Sequence, residues 1–169
     1  QLGYIPQDIF LLDDSLRRNI GFGLGDDEID DAAVRRAVER AQLDAFVETL
    51  PDGLGTVVGE RGARLSGGQR QRIGIARALY RDAAVLVMDE ATSALDSETE
   101  AEISQAIDAL KDNTTVIIIA HRLSTVRQCD VIHFMESGRI ADSGSFDELA
   151  RNNRRFQRMV ERMHMTPSA

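Results

Sequence analysis

Leu65-Ser66-Gly67-Gly68-Gln69-Arg70-Gln71-Arg72 is the stretch around which this 169-residue chain is organised. Ser66, followed three residues later by Gln69, has the pattern of a capping box, in which a hydroxyl and an amide satisfy backbone N–H groups reciprocally at a helix start. Ile73, Ile75, Ala76, Leu79 and Tyr80 continue it as a mostly apolar helix. A helix N-terminus carries about half a positive charge and several unpaired donors, which suits phosphate. Gly67 and Gly68 lack the Cβ that would hold a bulky ligand away from the backbone. Taken alone, the stretch fits an ordinary capped surface helix equally well. The segments around it separate the two readings.

The totals narrow the classes. At 43% hydrophobic and single-domain length, the chain can bury a core. A formal net charge of −8 argues against a duplex-binding surface, so no nucleic-acid partner is expected. Cys129 is the only cysteine, which excludes an internal disulfide and marks it as a small buried filler rather than a metal ligand. No apolar run reaches the ~20 residues that a bilayer-spanning helix needs. The sequence opens on Gln1-Leu2-Gly3 without a methionine or a signal peptide, as the interior of a longer polypeptide would.

Outward from the central stretch, Gly3-Tyr4-Ile5 reads as a strand end stopped by Pro6. Gln7 then opens a loop, where its amide can face solvent, ligate a metal or hold a water. A short helix is expected over 15–20, a joint at Gly21, Gly23 and Gly25, and one helical stretch from Asp27 to Leu50. Gly59-Glu60-Arg61-Gly62 is a polar loop, either a plain turn or a contact surface. On the other side, Ala83 to Met88 is continuous apolar sequence, as in a parallel strand buried on both faces. Asp89 and Glu90 end it, at the sheet edge where open α/β folds place ligands. One carboxylate can orient a metal and its waters while the other takes a proton from an attacking water; both can equally be solvent-facing caps. Ser97 with Glu100 suggests a second capped helix, and Thr114 to Ala120 a strand delivering His121 to the same edge. A strand pair follows over 131–142, with His133 as a pleat-facing structural residue. One helix is expected from Ser145 onward, capped by Ser145 with Glu148 three residues on, with Met159, Met163 and Met165 as core or interface filler.

Together these motifs resemble the ATP-binding cassette (ABC) ATPases, specifically the nucleotide-binding domain of exporter-type ABC transporters. Leu65 to Gln69 resembles the signature, Val85 to Glu90 the Walker B strand with its following glutamate, and Ser93 to Asp96 the D-loop. His121 resembles the switch histidine and Gln7 the Q-loop glutamine. The likeness runs from Gln1 to about Met163. It implies an α/β fold: a partial P-loop NTPase-type core with a parallel sheet, plus a helical subdomain carrying the signature. Residues 1–8 would form a strand end and Q-loop, and 9–82 the helical subdomain with an x-loop at Gly59–Gly62. Residues 83–165 would form the RecA-like core portion and 166–169 a frayed tail. The segment Phe10-Leu11-Leu12-Asp13-Asp14-Ser15 resembles the lipid-linked-oligosaccharide flippase branch.

The resemblance further implies ATP and Mg²⁺ as cofactors and a head-to-tail dimer of nucleotide-binding domains. In that dimer Ser66, Gly67, Gly68 and Gln69 would meet ATP held mainly by the partner. Glu90 would be the base, and His121 would hold γ-phosphate and water. Asp89 and Gln7 would serve Mg²⁺, largely through water, and Asp96 would link the two sites. The Gln7 loop and Gly59–Gly62 would face transmembrane domains, on the cytoplasmic face of a membrane. The chain departs from the family at Walker A, G-x-x-x-x-G-K-[ST]: the only lysine, Lys111, follows Leu110. The adenine-stacking aromatic also has no counterpart. The sequence therefore reads as the C-terminal part of a cassette, and the isolated chain is expected to hydrolyse no ATP above background. Two other classes are a soluble ABC-type ATPase of DNA repair, disfavoured by the charge and the x-loop-like segment, and a non-catalytic fragment docking on a membrane partner. The transported substrate would be specified outside this segment.

Overall fold

The strands Leu2–Ile5 (β1), Val85–Asp89 (β2) and Thr115–Ile119 (β3) form an all-parallel sheet in the order β1-β2-β3. The computed structural model describes residues 1–89, 97–110, 114–120 and 123–165, in two units that meet in sequence between Ile119 and Ala120. In the first unit, Ile5 pairs with Met88 and Asp89 with Ile119, so the carboxyl ends of all three strands reach one edge. Ile5, Leu86 and Met88 are fully buried in the same core as Ile73, Ile75, Ala76 and Leu79 of α4 (Gly67–Tyr80) and Ile103 of α5 (Ser97–Asp108). Gly3 makes this packing possible, since a Cβ there would lie 2.9 Å from that of Ala78. The sheet is buried on one face only, against the expectation of two. Leu2, Tyr4, Ile117 and Ile119 share a pleat side with Val85 and Val87 and are 48–67% exposed, because no described element of this unit covers that side.

Between β1 and β2 lie α1 (Leu16–Ile20), α2 (Asp31–Arg40) and α3 (Asp44–Glu48), followed by α4. Ser15 caps α1 by accepting from the Arg18 N–H. The single helical stretch expected from Asp27 to Leu50 is in fact a short turn and two helices. Its break is a Schellman closure: the Leu43 N–H donates to the Val38 carbonyl at 3.0 Å and the Gln42 N–H to that of Glu39 at 2.9 Å. Gln42 takes the left-handed conformation this requires, φ 54°. Leu43 is driven into the core, 1% exposed, and that burial ends the helix in place of a glycine signal.

In the second unit, α6 (Leu123–Arg127) precedes the hairpin β4 (Ile132–Glu136) and β5 (Arg139–Gly144). Positive φ at Ser137 and Gly138 gives the turn the hand that matches strand twist. His133 Nδ1 lies 2.8 Å from Ser143 Oγ across the ladder, a pleat-facing pair as expected. The helix expected from Ser145 is two, α7 (Phe146–Asn152) and α8 (Arg154–Met165). Asn153 interrupts it because its side-chain oxygen accepts from the N–H groups of Arg155 and Phe156, each at 3.0 Å, and so caps a new helix. Phe156 is fully buried, with Phe134 and Phe146 edge-on at 5.8 and 5.6 Å. Cys129 is half-buried rather than buried, its thiol directed at the Thr125 carbonyl. Among the described residues no helix is long and apolar enough to cross a membrane.

Candidate functional site

The α4 start has the predicted cap. Ser66 is extended (φ −66°, ψ 164°); its Oγ accepts from the Gln69 N–H at 3.2 Å, and its own N–H donates to Gln69 Oε1 at 2.8 Å. Arg70 N–H makes the first intrahelical bond, to the Ser66 carbonyl. The N–H groups of Gly67 and Gly68 thus stay without a protein partner among the described residues, as the first turn of any helix leaves some donors. Ser66 Oγ uses a lone pair in the cap and keeps its proton to donate. The result is an exposed hydroxyl beside two glycine N–H groups at the positive end of a 14-residue helix. Arg70 Nη1 holds the preceding turn by donating to the Leu65 carbonyl at 2.7 Å.

Immediately upstream, Glu60–Gly62 is a single tight turn with Arg61 at φ 53° and Gly62 at φ 69°. Gly62 is buried, and a Cβ on it would lie 2.7 Å from Leu11 Cδ1, so the glycine serves both the turn and the packing. Its neighbours Glu60 and Arg61 are exposed.

At the sheet edge, Asp89 ends β2 and Gln7 follows β1 by two residues, with its side chain exposed. Tyr4 Oη donates to Asp89 Oδ2 at 3.2 Å. Partial desolvation, then this bond and the Asp89 charge, push the Tyr4 phenol above its ordinary value. Among the described residues no three His, Cys, Asp or Glu side chains gather as a metal set. Asp89 and Gln7 nonetheless offer hard oxygen donors at one edge, which suits a cation completed by phosphate and water. Glu90, the segment Ser93 to Asp96, and His121 lie outside the described residues.

Arg77 was not a candidate in the sequence. It leaves α4 to donate through Nε to the Asn19 carbonyl at 2.9 Å and through Nη1 to the Phe10 carbonyl at 3.0 Å. It thereby fastens the segment after Gln7 to the helix that begins at Ser66. The available signal was a lone guanidinium flanked by Ala76 and Ala78 in an otherwise apolar run.

The profile of the family described as ABC transporter matches residues 1–93. The chain is 49% identical over 150 residues to the ATP-dependent lipid A-core flippase of Ralstonia nicotianae, covering 88% of this chain and 25% of that protein. To the Beta-(1-->2)glucan export ATP-binding/permease protein NdvA of Rhizobium johnstonii it is 53% identical over 154 residues, covering 91% of this chain and 26% of that one. A solved bacterial Atm1-family ABC exporter with ATP bound superposes with a TM-score of 0.84 at 40% identity, over 99% of this chain and 29% of that one. The chain therefore spans about a quarter of the length of these relatives.

Proposed function

Because the chain belongs to the ABC transporter family, we propose that it forms part of an exporter's ATP-binding and ATP-hydrolysing domain, coupling ATP hydrolysis to transmembrane transport. The observation that carries this reading is the Ser66–Gln69 box, which leaves a hydroxyl proton and the Gly67 and Gly68 N–H groups to meet an anion. In a head-to-tail dimer of two such domains, Ser66, Gly67, Gly68 and Gln69 meet ATP bound mainly by the partner, with Ser66 and Gly68 on its γ-phosphate. Asp89 and Gln7 would hold Mg²⁺, largely through water, and the ion would supply neutralisation of charge on the phosphates. Glu90 accepts a proton from water as the water oxygen bonds to γ-phosphorus and the bond to the bridging β–γ oxygen breaks. His121 positions the γ-phosphate and that water. Asp96 links the two sites of the dimer. Residues 9–82 act as the helical subdomain and 83–165 as the core portion. The Gln7 loop and Gly59–Gly62 face transmembrane domains, which sets the chain on the cytoplasmic face of a membrane.

The test is Glu90→Gln in the longer protein that carries this chain. The variant is expected to retain bound ATP and lose turnover. Hydrolysis at the wild-type rate would refute the base assignment.

A further inference from the structure

We propose that Tyr4 is a positioning residue for Asp89, holding its carboxylate in the orientation from which it serves the nucleotide-bound cation. The register brings them together. Tyr4 pairs with Val87 across the parallel β1-β2 ladder, and Asp89 lies two residues beyond Val87, on the same side of the pleat. A diagonal neighbour at this spacing is within reach of a long aromatic side chain. The phenol closes the gap, donating to Oδ2 at 3.2 Å.

One carboxylate oxygen is occupied, while Oδ1 has no partner among the described residues. With Oδ2 tied down, rotation about the Cβ–Cγ bond is restrained, and Oδ1 is the oxygen left to face a cation or its water. Phenol and carboxylate stand on the half-open side of the sheet, Tyr4 being 56% exposed, where water competes for the bond. Such a bond contributes little to folding and acts by orientation. Outer-shell donors to ligating carboxylates have this role in metal sites generally. Phenylalanine at position 4 would keep the ring and lose only the donor.

This inference rests on the proposed ATPase reading, and the test separates the two. In the longer protein carrying this chain, Mn²⁺ affinity is measured by electron paramagnetic resonance with a non-hydrolysable ATP analogue, for wild type and Tyr4→Phe. ATP affinity in EDTA and the thermal midpoint are measured alongside. Tyr4→Phe is expected to weaken Mn²⁺ binding and raise the Mg²⁺ concentration for half-maximal turnover by roughly tenfold. Metal-free ATP affinity and the thermal midpoint should hold, and turnover at saturating Mg²⁺ should stay within about twofold, since no group touching substrate is lost. Unchanged Mn²⁺ affinity overturns the proposal. So does a parallel fall in metal-free ATP affinity and thermal stability, which would mark a packing role. A wild-type protein that neither binds nor hydrolyses ATP defeats the functional reading instead.

Discussion

Arg77 reaches from α4 to the carbonyl oxygen of Asn19, 2.9 Å from its Nε, and so joins two segments 58 positions apart in sequence. Asn19 is fully buried; its amide donates to the carbonyls of Leu12 and Ser15 and its oxygen accepts from the Leu12 N–H. Partial burial pushes the Arg77 pKa down, yet a guanidinium stays charged across the physiological range. Its plane also covers the Phe22 ring, 4.5 Å from the centroid.

Arg77→Ala leaves the Phe10 and Asn19 carbonyls without their charged donor and is expected to cost about 3 kcal/mol. Arg77→Lys should recover less than half of that, because an ammonium cannot fork towards two carbonyls while stacking on a ring. Equilibrium denaturation checks both, and a loss below about 1 kcal/mol for the alanine variant would refute the role.

Local patterns were legible where a side chain bonds its own neighbourhood. The Ser66–Gln69 and Ser145–Glu148 boxes form as the sequence predicts, and β2 and β3 run parallel with their carboxyl ends at one edge. The breaks at Gln42 and Asn153 were not legible. In the first, burial of Leu43 decides the turn, and in the second an asparagine recruits two N–H groups that a continuous helix would use internally. Arg77 escaped for a related reason, since its acceptors are backbone carbonyls of distant residues and carbonyls carry no sequence signature. The Tyr4–Asp89 bond required the register of two strands whose pairing residues are 83 positions apart, as Leu2 and Val85 are.

Gly74 sits mid-helix in α4, where alanine would ordinarily gain about 1 kcal/mol. A Cβ there would fall 2.5 Å from Ile9 Cδ1 and 3.0 Å from its Cγ1. Gly74→Ala is therefore expected to destabilise by about 1–2 kcal/mol, the clash outweighing the propensity. Ile9→Ala removes both contacting atoms. In that background the same substitution should become stabilising by about 0.5–1 kcal/mol. A double-mutant cycle with no change of sign would show that Ile9 is not what selects glycine.

Glu148 gives the second unit a calculable acid response. The Ser145 N–H and hydroxyl both donate to its Oε2, each at 2.9 Å, and hold its carboxyl below the ordinary value, with the backbone bond as the larger cause. A depressed folded-state pKa adds stability above the unfolded-state value, lost as pH falls through the folded one. The contribution should thus be complete near neutrality and fade below about pH 4.5, where the unfolded chain begins to bind the proton. Glu148→Gln cannot titrate, so its thermal midpoint should fall less between neutrality and pH 3 than that of the parent. Equal acid slopes would show that the cap does not favour the charged form.

Ser66 serves as a cap and, in the proposed function, as a phosphate donor, and one substitution separates the two. Aspartate caps helices about as well as serine, and its charge is favourable at the positive end of α4, so Ser66→Asp should shift folding stability by no more than about 0.5 kcal/mol. It nevertheless removes the hydroxyl proton and sets a carboxylate where the γ-phosphate must approach the Gly67 and Gly68 N–H groups. Turnover in the longer protein is then expected to fall on the order of a hundredfold or more, the scale of losing one preorganised donor with repulsion added. Ser66→Ala is the complement: it should lose about 1 kcal/mol of cap and the same donor, but without the repulsion, and so retain more activity than the aspartate. Thermal unfolding and ATP turnover measured on both variants decide the matter. If activity tracks stability, with the aspartate the more active of the two, the helix start is only a cap and the anion it meets is not ATP.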